Sequence, residues 1–148
     1  MELPDNIYQK IEELSREGDS AAEAGDHDRA VSLFAQAFDL LPEPKFEWEA
    51  ATWLLTALGD TYFLMGDYED ARIVLSHAMH CPDAIGNPFI HMRLGQAQFE
   101  LGNMERASDE LARACIMGGG KDFFRNEDPK YFNYISSILL PPAGADSW

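Results

Sequence analysis

His77, His80 and Cys81 stand at i, i+3 and i+4, a spacing that puts two imidazoles and a thiol on one face of a helix and could begin a metal site. A metal site needs a fourth ligand, and no residue stands at a matching place. The two histidines therefore read as helix-end residues that meet terminal carbonyls and the negative end of the helix dipole. His91 falls on the buried face of its helix and reads as a packed residue rather than a general base, while His27, in a turn after Gly25 and Asp26, reads as solvated. Gly118 to Lys121 spells GGGK without the remaining residues of a phosphate-binding loop or a preceding strand, so those glycines read as a helix stop. Neither a nucleophile elbow nor a pair of catalytic carboxylates occurs. The expectation is a chain that is not an enzyme, with no metal and no cofactor.

Charge is the next informative feature. With 26 acidic and 11 basic side chains the formal net charge is −15. Such a surface repels nucleic acid and anionic membranes and attracts a basic protein, although acidity also keeps a protein soluble without any binding role. No stretch approaches the roughly 18 consecutive apolar residues of a membrane span. The opening MELPDNIYQK is acidic and lacks an apolar signal core, so the expected location is cytoplasmic. Cys81 and Cys115 then read as small buried apolar residues in a reducing cytosol rather than as a disulfide or a reactive thiol.

The elements that carry these residues repeat. Gly25 leads to Ala30, Phe34 and Ala37; Gly66 leads to Ala71, Leu75 and Ala78; Gly102 leads to Ala107, Leu111 and Ala114, at the same offsets each time. Seven residues before the three glycines stand Gly18, Gly59 and Gly95, and four before them stand Ala21, Tyr62 and Gln98. Spacings of three and four define a helical face, so each unit reads as helix, tight turn, helix. The recurring Gly and Ala let the two helices approach, and Phe34, Leu75 and Leu111 fill the space beside them. A unit that buries its apolar face only against its neighbours makes a stack, and such stacks generally bind proteins.

The segment LGDTYFLMGDYEDARIVLSHA, from Leu58 to Ala78, shows this pattern most fully and resembles the tetratricopeptide repeat (TPR), a helix-turn-helix unit of about 34 residues. The likeness covers roughly residues 8 to 117, weakest in the first repeat, where Glu17 and Ala21 replace a Leu and a large aromatic. The turn glycines are 41 and 36 residues apart, and the excess falls in LLPEPKFEW and CPDAIGNP, where prolines stop one helix before the next begins. The implied fold is all-α: three antiparallel TPR-like units, about 8–42, 46–81 and 88–117, stacked in a right-handed superhelix, with a capping helix at about 128–140. Residues 1–140 form a single domain in this reading. In the cap, Asp128 is the N-cap and Pro129 the first helical residue, Tyr131, Ile135 and Ile138 share a face with Phe132 and Leu139 beside them, and Phe123 and Phe124 lie beneath. Residues 141–148 read as a flexible tail, with Trp148 an unusual residue to leave in solvent.

In the TPR family the first helix of each repeat lines a concave groove. Carried onto this sequence, that implies a partner-binding set of Glu12, Asp19 and Glu23 from repeat one, Trp53, Asp60 and Phe63 from repeat two, and Phe89, Met92, Arg93, Gln96, Phe99 and Glu100 from repeat three. Ser15, Arg16, Thr56 and Leu64 lie along the same faces. Aromatics and Met supply anchors and carboxylates select a cationic partner, while Trp53, Phe63 and Phe99 also fit a plain core role between helices. The family's grip on a C-terminal carboxylate is not expected here: the corresponding places hold Ser15, Asp19, Ala57, Phe89 and Arg93, of which only Arg93 suits an anion. The ending GGGKDFFRNEDPKYFNYI also resembles the terminal segment of short bacterial TPR-like immunity proteins that accompany polymorphic toxins. The implied function is non-catalytic binding of a basic protein, with a toxin domain as the candidate; the alternatives are a peptide-binding adaptor or a secretion chaperone. Oligomeric state stays open.

Overall fold

The computed structural model describes residues 2–148. Among them are seven α-helices and two short 3-10 turns and no strand, so the chain is all-α, its helices packed pairwise as TPR-like repeats. It divides into two compact units, one ending at Ile85 and the other starting at Gly86.

The first unit holds two hairpins. α1 (Asp5–Glu23) buries Ile11, Leu14, Gly18 and Ala21, the stripe its spacing predicts, and packs on α2 (His27–Asp39), which buries Ala30, Leu33, Phe34 and Ala37. Between them Gly25 takes φ +80°, and the Asp26 N–H donates back to the Ala21 carbonyl at 2.8 Å. The Asp26 carboxylate then caps α2 by accepting from the Arg29 N–H at 3.3 Å. α3 (Glu49–Leu64) and α4 (Tyr68–Ala78) repeat the device: Gly66 has φ +80°, Asp67 N–H donates to Tyr62 O at 2.9 Å, and the Asp67 side chain caps α4. Ala21 and Tyr62, found at one offset in the sequence, are thus the carbonyl acceptors that close their helices.

The connection from α2 to α3 is held rather than loose. A 3-10 turn at Lys45–Glu47 precedes α3, Trp48 Nε1 donates to the Pro42 carbonyl at 2.8 Å, and the Lys45 ammonium donates to the Asp39 carbonyl at 2.9 Å. Further on, Thr52 donates its hydroxyl to the Pro82 carbonyl at 2.7 Å, tying the start of α3 to the segment after α4.

The second unit begins with α5 (Pro88–Glu100), opened by an Asn87 cap and Pro88 in the first turn, and turns at Gly102 into α6 (Met104–Gly118). Here Asn103 does not cap; its side-chain amide instead donates to Gln98 Oε1 at 2.8 Å. Gly119 and Gly120, with φ of 94° and 95°, stop α6, the helix-stop role read for GGGK. A 3-10 turn at Lys121–Phe124 leads to α7 (Pro129–Ser136), capped by Asp128 as expected.

Each hairpin closes on the same contact. A Cβ built on Gly18 would lie 2.7 Å from the Phe34 ring, on Gly59 2.5 Å from Leu75, and on Gly95 2.8 Å from Leu111. All three partners are essentially fully buried, and each such side chain contributes about 1.5–3 kcal/mol of transfer free energy. The helices approach to a distance that only a glycine permits.

Two expectations at the C-terminal end change. α7 stops at Ser136, so Ile138 falls past the helix and is exposed, whereas Tyr131, Phe132 and Ile135 are buried as read. Residues 141–148, read as a flexible tail, fold back: Trp148 packs edge-on against Phe132 at 5.8 Å and donates its indole N–H to the Leu139 carbonyl at 3.4 Å. The indole is left half-buried by these contacts.

Candidate functional site

In the first unit, the beginnings of α1 and α3 border a cavity of ≈ 560 Å³. Tyr8 and Trp53 form part of its wall, and Glu2, Asp5, Glu47 and Glu49 are its charged lining; no Lys, Arg or His among the described residues lines it. A second cavity of ≈ 350 Å³ adjoins, sharing Tyr8 and Trp53 and adding Glu12, Ser15 and Arg16. Tyr8 is 44% and Trp53 38% exposed, values that separate these rings from the core aromatics Phe34 and Trp48. Because Tyr8 precedes Glu12 by four residues and Glu49 precedes Trp53 by four, each helix presents a ring and a carboxylate on one stripe.

The electrostatics are one-sided. The Glu12 carboxylate, as hydrogen-bond acceptor and then as charge, raises the pKa of the Tyr8 phenol. One turn or more along α1, Asp19 has its carboxyl pKa raised by partial burial and then by the charge of Glu23. Glu12, Asp19 and Glu23 are all exposed, and α1 therefore carries a line of solvent-facing carboxylates beyond the cleft.

Farther along α3 the groups named from the sequence are less open. Asp60 is half-buried, and Phe63 is half-buried with its ring 5.4 Å from that of Tyr68. Thr56 donates its hydroxyl to the Thr52 carbonyl at 2.6 Å, so it serves the helix.

In the second unit the corresponding face of α5 is committed to its own chain. Met92, Arg93 and Gln96 are buried; Gln96 has no exposed surface. Arg93 donates to Gln96 at 2.8 Å, pairs with Glu127, and lies over the Phe89 ring at 5.3 Å, while Gln96 donates to Glu127 at 2.9 Å. Glu100 pairs with Lys130, and Phe99 packs between Tyr131 and Tyr134, each ring 5.3 Å away. Phe89, Phe99 and Glu100 are half-buried. The segment from Glu127 to Tyr134 thus covers the surface that repeat three was expected to offer a partner. Met92, Arg93 and Gln96 are corrected to internal positions: all three are buried, and Glu127, just before α7, accepts from both Arg93 and Gln96.

The other groups with possible chemistry are likewise accounted for. His91 is buried, its Nδ1 at 2.5 Å from Glu110 and its Nε2 accepting from the Gly86 N–H at 3.1 Å, which makes Nδ1 the protonated nitrogen of the neutral ring. His77 stacks on Phe46 with centroids 5.5 Å apart, a partner the sequence reading did not name. Cys81 and Cys115 are free and buried, and burial raises both thiol pKa values. Among the described residues no group of three or more His, Cys, Asp and Glu is placed to hold a metal ion, and no helix is long and apolar enough to cross a membrane.

Tyr8 and the acids Glu2, Asp5, Glu47 and Glu49, at or just before the starts of α1 and α3, are absent from the set read from the sequence. The four-residue step from Tyr8 to Glu12 was the available signal.

Helix hairpins that follow one another along the chain, each turned at a positive-φ glycine, define a helical-repeat fold. Residues 21–81 match the tetratricopeptide repeat family, and the chain carries a tetratricopeptide repeat domain. A search of curated proteins found no significant match. The fold is similar to the C-terminal TPR-containing domain of a Plasmodium falciparum FK506-binding protein, with a TM-score of 0.74 and 18% identity over 92% of this chain and 95% of that one. It is also similar to the first TPR domain of Spaghetti (RPAP3) bound to an HSP90 peptide, SRMEEVD, with a TM-score of 0.69 and 20% identity over 86% and 94% of the two chains. A third similar structure is the Yersinia enterocolitica type III secretion chaperone SycD in complex with a peptide of the translocator YopD, with a TM-score of 0.68 and 17% identity over 88% and 92%. At these identities the likeness carries the fold.

Proposed function

We propose that this chain is a non-catalytic binding module that takes a basic segment of a partner protein on the α1 and α3 face of its first unit. The supporting observation is the pair of adjoining cavities that share the exposed rings of Tyr8 and Trp53, with four carboxylates and, among the described residues, no base lining the larger one. Exposed aromatics give anchors with little conformational freedom to lose, and carboxylates around them steer and select a cationic partner. Glu12, Asp19 and Trp53 of the sequence-derived set belong to this surface, joined by Tyr8 and Glu49.

Two of the similar folds are peptide complexes, which favours an extended segment, as an adaptor or secretion chaperone would hold, over a folded partner domain. The HSP90 segment is acidic, whereas the cleft here is acidic itself, so the segment proposed has the opposite charge. An immunity protein that caps a basic toxin domain would use the same surface, and the −15 net charge suits it.

Affinity capture from the host of origin, with the bound proteins identified and rebinding measured between 50 and 500 mM salt (an experimental range of about one decade), tests the proposal. A basic partner whose association rate falls steeply with salt is expected. A partner that is acidic, or whose binding ignores salt, would refute it. Capture of one tightly bound, folded toxin domain would select the immunity reading, and capture through a short segment would select the adaptor reading.

A further inference from the structure

The larger cavity is too specific in its lining to be only an acidic surface. We infer that it is a seat for a single arginine side chain of the partner, held between Tyr8 and Trp53 and forked by carboxylates at the start of α1 and α3; this rests on the binding function proposed above. Three features converge. Two rings on different helices, Tyr8 and Trp53, face the same space and keep exposed surface. Four carboxylates, Glu2, Asp5, Glu47 and Glu49, line it, and among the described residues none of the four is ion-paired. The adjoining smaller cavity carries both Glu12 and Arg16, so its charges cancel and the cation belongs in the larger one.

The helix dipoles oppose a cation here, since α1 begins at Asp5 and α3 at Glu49 and both positive ends border the cavity. Each end carries about +0.5 of a charge. Two such ends leave the four carboxylates with most of their field, so a cation is still attracted. Arginine is favoured over lysine because its planar guanidinium stacks on an indole or phenol face while donating in a fork to a carboxylate; an ammonium is a more strongly hydrated point charge.

Isothermal titration of the whole chain with a hexa-arginine peptide tests the seat, with hexa-lysine and hexa-citrulline as controls. Hexa-arginine is expected to bind several-fold tighter than hexa-lysine, and hexa-citrulline not at all. Trp53→Ala is expected to weaken hexa-arginine about tenfold, Trp53→Phe less, and Glu49→Gln to reduce the preference for arginine. Trp53→Phe keeps a ring and guards against a folding defect in Trp53→Ala, with helicity checked by circular dichroism. Equal affinity for the two cationic peptides, unchanged by either Trp53 variant, would overturn the seat while leaving a diffuse acidic binding surface standing. Failure of both cationic peptides to bind would overturn the seat and the basic-partner function together.

Discussion

Replacing Gly59 by alanine isolates the contact on which every hairpin of this protein depends. In helix α3 the new methyl would lie 2.5 Å from Leu75 Cδ2, 2.5 Å from its Cγ and 3.3 Å from its Cδ1, with no backbone atom among its three nearest neighbours. Leu75 is completely buried, so it has little space into which to retreat. Overpacking of this kind costs about 1–3 kcal/mol, and such short distances point to the upper end. Alanine in place of glycine within a helix returns about 1 kcal/mol. The net expectation is a loss of about 2 kcal/mol, measured by urea unfolding followed by far-ultraviolet circular dichroism. Leu75→Ala alone should cost about 2–5 kcal/mol, but it also removes all three obstructing atoms. In that background Gly59→Ala should become neutral or stabilising by up to about 1 kcal/mol, a reversal of sign. Gly66→Ala supplies the contrast: at φ +80° with nothing within 4 Å of the added Cβ, its cost of about 1–2 kcal/mol is backbone strain and should be the same in both backgrounds. If Gly59→Ala destabilises equally with and without Leu75, the close-approach explanation fails.

Glu127→Ala removes the acceptor shared by the buried Arg93 and Gln96 and should cost about 2–3 kcal/mol, whereas Lys130→Ala, at a side chain 44% exposed, should cost about 1 kcal/mol or less; parallel urea titrations would compare them. Asp19→Asn should stabilise the protein near neutral pH. The folded-state pKa of Asp19 is raised above its usual 3.8, so ionisation weakens folding as pH rises from the unfolded value to the folded one; the variant's advantage should shrink as pH falls through the folded pKa and be gone below the unfolded value. Thermal melts across pH 3–7, spanning the ordinary carboxylate range of about 4 and above, would read this difference. Cys81 and Cys115, buried and with raised pKa values, should react slowly with iodoacetamide in the native protein and rapidly in denaturant; a fast native reaction would show that either thiol is open.

Glycine spacing reads well from sequence because its consequences are local. The contacts Gly18–Phe34, Gly59–Leu75 and Gly95–Leu111 join residues within one hairpin, and a turn glycine seven residues after the first of each pair sets where the partner helix must return. The turns are also local: Asp26, Asp67 and Asn103 each donate to a carbonyl five residues back. For the candidate site, Glu12 and Trp53 came from the sequence only through the family resemblance, which assigns the first helix of each repeat to a groove. Tyr8, Glu2 and Asp5 were passed over because the start of α1 fell outside or at the margin of the repeat pattern, which marks packing and not openness.

The amino-acid order alone determined the all-α class, the helix hairpins, the glycine turns and the residues that close each pair, since helical periodicity and φ > 0 turns depend on neighbours within a few residues. Tertiary structure alone decided which polar and aromatic groups stay open. Arg93 and Gln96 carry side chains as suited to a partner as any on α1, yet Glu127, more than thirty residues away along the chain, takes both. Exposure is set by segments distant in sequence that pack together, and no local spacing encodes it. For the same reason Trp148 returns to Phe132, while Tyr8 and Trp53, on two helices of the first unit, meet across a cavity that neither helix defines by itself.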